Sequence, residues 1–177
     1  MKRSVTFVLL AASVFGLSAC GKKPAPADIS GMMPGDGRAA QQASGDYDAD
    51  GNYIGPGSQA DLIRNAGSDR VFFQLNSFLL DDYDRETLRR QAEWLSRNPN
   101  VSITVEGHSD ERGTRDYNIA LGDRRANAAK NYLQTLGISA SRMNTVSYGK
   151  ERPAASGSDE EAWAQNRRAV TIVIRDN

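Results

Sequence analysis

The chain has 177 residues, with 22 basic and 22 acidic side chains, one histidine and one cysteine. This length allows about one folded domain with appendages. One histidine and one cysteine cannot supply the three or four ligands of a zinc site or an internal disulfide. A net charge of zero gives no basic field for a nucleic-acid backbone. We therefore expect no metal, no other cofactor and no nucleic-acid partner.

The first nineteen residues have the pattern of a secretory signal peptide. Two basic residues precede an apolar run over residues 5–17, which is too short to span a bilayer but has the length of a signal-peptide core. The run ends in LSAC, residues 17–20, a string that resembles a bacterial lipobox. Because that motif is cleaved before its cysteine and acylated on it, we predict a signal peptide over residues 1–19 and a lipid on Cys20. The alternative is an ordinary signal peptide that happens to precede a cysteine.

The residue after the cysteine bears on the destination of the protein. In the sorting scheme that accompanies the lipobox, aspartate at this position favours the inner membrane, so Gly21 is compatible with export to the outer membrane. One acyl chain binds a membrane reversibly, whereas two or three hold it permanently. We therefore predict a lipid anchor in the outer membrane, with the folded domain facing the periplasm.

Residues 20–60 have the composition of a disordered tether. Eight glycines and four prolines lie between residues 21 and 60, with few large aliphatic side chains, so the segment buries too little apolar surface to fold. A random coil of about 40 residues spans roughly 35 Å. The string DYDADG, residues 46–51, resembles the start of a calcium-binding loop, but the twelfth position is Gly57 where glutamate is required. We interpret this string as an acidic, turn-rich linker.

The folded domain is predicted over residues 61–177. Leu88, Ala92 and Leu95 lie at helical spacing before a proline, and Gly137 stands where a helix C-terminal cap is needed. Such patterns predict a lead-in helix (61–66), a strand (70–74), a helix (84–97), a strand (101–105), a helix (115–136), a strand (143–148), a helical turn (160–165) and a strand (170–175). This order predicts an α/β (α+β) fold, a two-layer sandwich in which two main helices cover one face of a four-stranded mixed sheet.

The second long helix carries a charged residue in its apolar stripe. At 100° per residue, Leu121, Ala128, Tyr132 and Leu136 fall within a sector about 80° wide, and Arg125 falls inside the same sector. A desolvated, unpaired guanidinium costs several kcal/mol. The sheet side of this helix must therefore present an anion, a ring of hydrogen-bond acceptors or a water-filled cleft.

Asp110 is the nearest candidate partner, because it directly follows the second predicted strand and the helix starts a few residues later. Asn118, Leu121 and Arg125, at positions i, i+3 and i+7, would line one wall of a cleft between the strand end and the helix. The spacing alone allows two interpretations, a ligand-binding cleft and an internal ion pair between Asp110 and Arg125.

The residues around this pair resemble a known family. The stretch VEGHSDERGTRDYNIALGDRRANAAKNYL, residues 105–133, is similar to the peptidoglycan-binding signature of OmpA-like C-terminal domains. SYGKERP at residues 147–153 and NRRAV at residues 166–170 fit the same pattern. Together with the lipobox and the tether, the chain resembles the lipid-anchored, peptidoglycan-associated members of that family.

The resemblance implies an OmpA-like domain that binds the meso-diaminopimelate of the cell-wall peptide. Asp110 matches the aspartate that holds the ligand's ammonium, and Arg125 matches the arginine that holds its carboxylate in a two-point fork. Asn118 and Leu121 match positions that frame the cleft. A ligand with lysine in place of diaminopimelate lacks that carboxylate, so we expect it to bind more weakly.

The resemblance also implies a cellular role. The protein would be no enzyme but a tether between the outer membrane and peptidoglycan, with TolB and the Tol complex as partners and a part in envelope integrity and cell division. One alternative is a cell-wall hydrolase. Ser109 beside His108 lacks a recognisable nucleophile context, however. The other alternative, a porin or flagellar stator with the same domain, needs barrel strands or a transmembrane helix, which the sequence does not display.

Three further positions receive expectations of their own. In the family, the position of His108 is structural. Residues 166–168 either contact the ligand or, more commonly, fix a loop against the last strand. Relatives commonly carry acidic residues after the first strand where this chain has Gln74 and Asn76, so we do not assign these two side chains as ligands, and backbone contacts from that loop stay open.

Overall fold

A computed structural model describes residues 46–174 of the chain. The predicted signal peptide, Cys20 and most of the predicted tether lie outside these residues. Within this range the chain forms four helices, four strands and a short 3₁₀ turn at Ala140–Arg142. In chain order the helices and strands are α1 (Gln59–Ala66), β1 (Arg70–Phe72), α2 (Asp82–Arg97), β2 (Ser102–His108), α3 (Arg115–Thr135), β3 (Met143–Gly149), α4 (Glu160–Asn166) and β4 (Arg168–Ile174). Across residues 46–174, no helix combines the length and the apolar character that a membrane span requires.

The four strands form one mixed sheet in the order β1-β4-β2-β3. Strand β4 runs antiparallel to both of its neighbours, and β2 and β3 are parallel. A parallel pair needs a crossover connection, which α3 supplies, and α3 packs against both strands that it joins. The predicted mixed sheet and two-layer sandwich are confirmed.

The core lies between the sheet and the helices α2 and α3. Ile103 and Val105 project from β2 toward Leu88 and Leu95 of α2 and Leu133 of α3, and all five are essentially inaccessible to solvent. Apolar burial of this kind contributes about 1.5–3 kcal/mol per large aliphatic side chain. The core fixes α3 relative to the carboxyl end of β2, where the predicted site lies.

Two glycines let α3 approach the sheet closely at that end. A Cβ atom on Gly107 of β2 would overlap the backbone carbonyl of Gly122 on α3, and a Cβ atom on Gly122 would overlap the Ser147 hydroxyl. The buried face of α3 therefore centres on small side chains such as Ala126 and Ala129. The predicted stripe is displaced, since Ala128 is only half-buried, while the prediction that Arg125 lies on the buried face is confirmed.

Several predicted boundaries differ from the structure. Helix α1 begins at Gln59 rather than residue 61, inside the segment assigned to the tether, because the Ser58 side chain accepts a hydrogen bond from the Asp61 amide. Strand β1 ends at Phe72 instead of residue 74, since the chain then turns. Strand β4 begins at Arg168, two residues earlier than predicted, because Arg168 pairs with Phe72.

Candidate functional site

Asp110 lies just beyond the carboxyl end of β2 and is almost enclosed, with 5% of the residue exposed. The Arg112 guanidinium donates to both of its oxygens, at 2.6 Å from Nη2 to Oδ2 and 3.2 Å from Nε to Oδ1, and the Arg112 amide also donates to Oδ1 at 3.1 Å. Burial opposes ionisation, but these hydrogen bonds and the positive charges of Arg112 and Arg167 lower the pKa of Asp110. The carboxylate is therefore ionised at neutral pH.

Arg125 is completely buried, and its guanidinium lies in a ring of backbone carbonyls. Nε donates to Ser77 at 2.9 Å, Nη1 to His108 at 2.8 Å and Nη2 to Gln74 at 3.2 Å. The Phe73 ring lies beneath it, with its centroid 5.3 Å from the guanidinium carbon. Of the three environments that the sequence allows for this residue, the structure has the ring of acceptors.

Burial lowers the pKa of Arg125 to about 10, while the negative charge of Asp110 acts in the opposite direction. The guanidinium therefore keeps its proton at neutral pH. Asp110 is near enough to influence Arg125, yet among the described residues its ion pairs within 4.0 Å are with Arg112 and Arg167. The direct ion pair between Asp110 and Arg125, one of the two interpretations of their spacing, is not formed.

Asn118 and Leu121 lie buried on the same face of α3 as Arg125. The Asn118 side-chain amide donates to the Arg112 carbonyl at 2.8 Å, so it fixes the loop that carries Asp110. Lys150 fixes the same loop from outside by donating to the carbonyls of Glu111 and Gly113. Asp110, Asn118 and Arg125 are thus all hydrogen-bonded to residues 108–112 at the end of β2, and Leu121 lies on the same buried face of α3.

A groove of about 360 Å³ opens beside this region. Its lining consists of Leu75, Asn76, Arg112, Gly113 and Tyr117. The Tyr117 hydroxyl donates to the Asn76 side chain at 3.2 Å and closes one rim, and Asn76 adopts a left-handed backbone with φ of 54°. Asparagine tolerates this conformation better than most residues. The loop at residues 74–77 therefore forms both a wall of the groove and part of the carbonyl ring around Arg125.

Residues 166–168 mainly fix neighbouring loops, one of the two roles considered for them. The Asn166 side chain accepts from two backbone amides and donates to the Ala155 carbonyl, and Arg168 donates to the Arg152 carbonyl. Arg167 does more. It donates to the Phe73 carbonyl and pairs with Glu160, and its buried Nη1 lies 3.6 Å from Asp110 without a hydrogen-bond partner.

Arg112 was not among the predicted site residues, and Arg167 entered only through one of the two roles considered for residues 166–168. The signal for Arg112 was present, because an arginine two residues after an aspartate can fold back onto its carboxylate in a turn. Nothing in the sequence pattern indicates that Arg167 approaches Asp110.

His108 is buried, and neither of its ring nitrogens has a hydrogen-bond partner among residues 46–174. Glu106 lies 3.5 Å from Nε2, and the ring stacks on Tyr148. Burial, reinforced by the positive charges of Arg168 and Arg152, lowers the pKa of His108 to about 4. The ring is therefore neutral at neutral pH, and its backbone carbonyl, which accepts from Arg125, is the part of His108 that reaches the site.

The OmpA family model matches residues 72–167, which include the strands β2 and β3, both long helices and every predicted site residue except Cys20. The chain belongs to the OmpA family. Within the family its relatives are peptidoglycan-associated lipoproteins. Proteins of that name from Agrobacterium fabrum, Rhizobium meliloti and Haemophilus influenzae are 57%, 47% and 38% identical over 67%, 86% and 96% of this chain, respectively. The matched regions cover 66%, 77% and 98% of those relatives. The family resemblance inferred from the sequence is thus confirmed.

Two solved structures share this fold. The crystal structure of the peptidoglycan-associated lipoprotein from Burkholderia pseudomallei matches with a TM-score of 0.61 and 38% identity, over 64% of this chain and all of that one. The C-terminal domain of Helicobacter pylori MotB matches with a TM-score of 0.57 over 61% of this chain and 85% of that one, at 22% identity. At that identity the second likeness concerns the fold alone.

Proposed function

We propose that the domain binds peptidoglycan without cleaving it and that it recognises the side chain of meso-diaminopimelate. The observation that carries the proposal is a buried, ionised carboxylate, Asp110, beside a groove and next to two buried guanidinium groups, Arg125 and Arg167. An arrangement with both signs of charge suits a ligand that ends in both an ammonium and a carboxylate. The names of the relatives, which describe association with peptidoglycan, support the same ligand.

Asp110 accepts the ligand's ammonium hydrogens, and Arg125 holds the ligand's carboxylate. A guanidinium has five N–H groups, and three backbone carbonyls use one each on Nε, Nη1 and Nη2 of Arg125. One N–H on each terminal nitrogen remains, which is the pair that a carboxylate fork needs. Because Arg125 is enclosed, the loop at residues 74–77 has to open for the carboxylate to enter.

Asn118 and Leu121 frame the ligand from the helix side. Asn118 keeps the Asp110 loop in place through the Arg112 carbonyl, and Leu121 supplies an apolar contact for the methylene chain of the ligand. A lysine side chain offers the ammonium alone, so it leaves Arg125 without a carboxylate partner. Discrimination of lysine from diaminopimelate therefore rests on Arg125.

The same proposal extends to the whole chain. Cys20 carries lipid and anchors the protein in the outer membrane, the tether crosses part of the periplasm, and the domain holds peptidoglycan. Within a Tol-Pal system, with TolB as the protein partner, this link maintains envelope integrity and assists cell division. The lipobox-like string and the word lipoprotein in the names of the relatives support the anchor. The Tol partner follows from the family resemblance.

Co-sedimentation with purified sacculi tests the peptidoglycan site. We expect the full-length protein in detergent to sediment with sacculi, and Asp110→Asn and Arg125→Lys to lose at least about tenfold in affinity, since each removes one charge-assisted contact. Arg115→Gln is the matched control, because Arg115 is exposed and pairs with Glu151 outside the groove. Circular dichroism checks that each variant is folded.

Equal sedimentation of the wild type and both site variants would contradict the assignment of Asp110 and Arg125. The supernatant of the same incubation tests the absence of catalysis. Soluble muropeptides released in proportion to protein and time would favour the hydrolase alternative over the tether.

A further inference from the structure

Arg112 occupies the place on Asp110 that the proposed function gives to the ligand's ammonium. Its side chain contacts both carboxylate oxygens and lines the groove from which a ligand would arrive. The Asp110 side chain is 7% exposed, whereas that of Arg112 is 33% exposed. An ammonium that enters from the groove therefore meets Arg112 before it meets Asp110.

Alternative partners for the Arg112 guanidinium lie beside Asp110. The guanidinium lies over the Trp163 ring, with 3.9 Å between the guanidinium carbon and the ring centroid. The indole N–H of Trp163 donates to Glu111 at 3.1 Å, which fixes the ring. Glu160 lies on the same side, with its Oε2 4.0 Å from Nη1 of Arg112. Arg112 can thus turn from Asp110 toward Glu160, and this turn moves its charge relative to the Trp163 ring.

The charges around Asp110 favour displacement of Arg112 by the ligand's ammonium over simultaneous binding of both to Asp110. Three guanidinium groups, those of Arg112, Arg125 and Arg167, surround Asp110, and within residues 46–174 Glu160 and Glu111 are further carboxylates that act on Arg112. A ligand ammonium that joined Arg112 on Asp110 would place a fourth positive charge around one buried carboxylate. Like charges in a partly desolvated site repel strongly.

We infer that Arg112 is an affinity-setting residue that competes with the ligand's ammonium for Asp110 and turns to Glu160 when the ligand binds. This inference rests on the proposed function of the site. Competition from Arg112 weakens the binding of any amine to Asp110, so a ligand must also be held through its carboxylate to displace Arg112. A lone ammonium, which has only Asp110 to bind, is rejected.

Calorimetric titration with meso-diaminopimelate tests the competition, with full-length protein in detergent. We expect Arg112→Gln to bind about three- to tenfold more tightly than the wild type, as removal of a partly exposed ion pair predicts. Arg112→Lys, which keeps the charge but loses the fork, falls between the two. Arg115→Gln, the matched control, binds as the wild type does. Equal or weaker binding by Arg112→Gln overturns the inference.

Tryptophan fluorescence supplies a readout of the movement itself. Because Arg112 stacks on Trp163, its turn should change the emission of Trp163 when ligand is added. This change should vanish in Arg112→Gln and in Trp163→Phe, which leaves the buried Trp94 as the other tryptophan. Ligand binding by the wild type without an emission change overturns the inference and leaves the proposed function intact. A wild type that does not bind meso-diaminopimelate overturns both.

Discussion

Arg142 and Arg125 lie at opposite ends of β2. Both are surrounded by backbone carbonyls, but we expect them to have different roles. At the end where β2 begins, Arg142 donates to the carbonyls of Val101, Leu95 and Asn98, at 2.8, 3.0 and 2.7 Å. At the other end, Arg125 also donates to three carbonyls. Burial lowers the pKa of both.

The difference lies in what else is near. Burial is the sole cause of the shift at Arg142, whereas Arg125 also feels the charges of Asp110 and Arg167. Arg142 is partly exposed and fixes the carboxyl end of α2, and Arg125 is enclosed beside a groove. A ring of backbone carbonyls around an arginine thus has a structural role and does not by itself indicate a binding site. A buried carboxylate and an adjoining groove are what make the second ring a candidate binding site.

Alanine substitution of the two arginines should separate these roles, with the largest effect at Arg125. Arg125→Ala leaves a cavity in place of a completely buried side chain and removes the donor from three carbonyls, and we expect the free energy of unfolding to fall by about 3–5 kcal/mol. Arg142→Ala should lower it by about 1–2 kcal/mol, because Arg142 is partly exposed and water can take the place of its guanidinium. Urea titration measures both. Sacculus binding retained by Arg125→Ala, or lost in Arg142→Ala, would reverse the comparison.

The carboxyl end of β2 should also be the pH-sensitive end, through His108. Its pKa is lowered from 6.5 to about 4 in the folded protein, so the unfolded chain binds the proton more readily between these values. Stability should therefore fall as the pH drops from about 6.5 to 4, by up to about 3 kcal/mol. Glu106 faces the ring as an acid, and Arg152 and Arg168 as cations.

Denaturant titrations at several pH values check this, with His108→Phe as the comparison variant. Removal of the histidine should flatten the pH dependence between 4 and 6.5. If the slope is unchanged in the variant, carboxylates elsewhere in the domain are its source.

A smaller effect is expected where α3 approaches β2. Gly107→Ala places a methyl group against the carbonyl of Gly122, and the displaced backbone should reduce the free energy of unfolding by about 1–3 kcal/mol. Ser102→Ala, at the opposite end of the same strand, should change it by less than about 0.5 kcal/mol. Thermal and urea unfolding compare the two. An unchanged free energy of unfolding in Gly107→Ala would mean that α3 and β2 can move apart without loss of stability.

Much of this fold is predictable from sequence. The helices α2 and α3 follow from apolar spacing, and β2 follows from its alternation, because these patterns reflect which face of one element is buried. Boundaries such as the end of β1 at Phe72 depend on tertiary pairing with β4, which sequence spacing does not reveal. The left-handed Gly137 that ends α3 was predictable, since few other residues adopt a φ of 93°.

The site is less predictable than the fold. A buried Arg125 follows from helical periodicity, and a nearby Asp110 follows from its position after β2. The carbonyls that surround Arg125 come from residues 17 to 51 positions away along the chain, and backbone acceptors carry no sequence signature. The assignment of Asp110, Arg125, Asn118 and Leu121 to a ligand stays a prediction, as does the lipid on Cys20.

The position of Gly57 has a mechanical consequence. Gly57 lies against Val101, just before β2, so the segment that leads into α1 lies at one end of this strand while Asp110 lies beyond the other. A pull between Gly57 and Asp110 would therefore run nearly along β2. The ladders on both sides of that strand would be loaded in shear, with many hydrogen bonds resisting together instead of opening one by one.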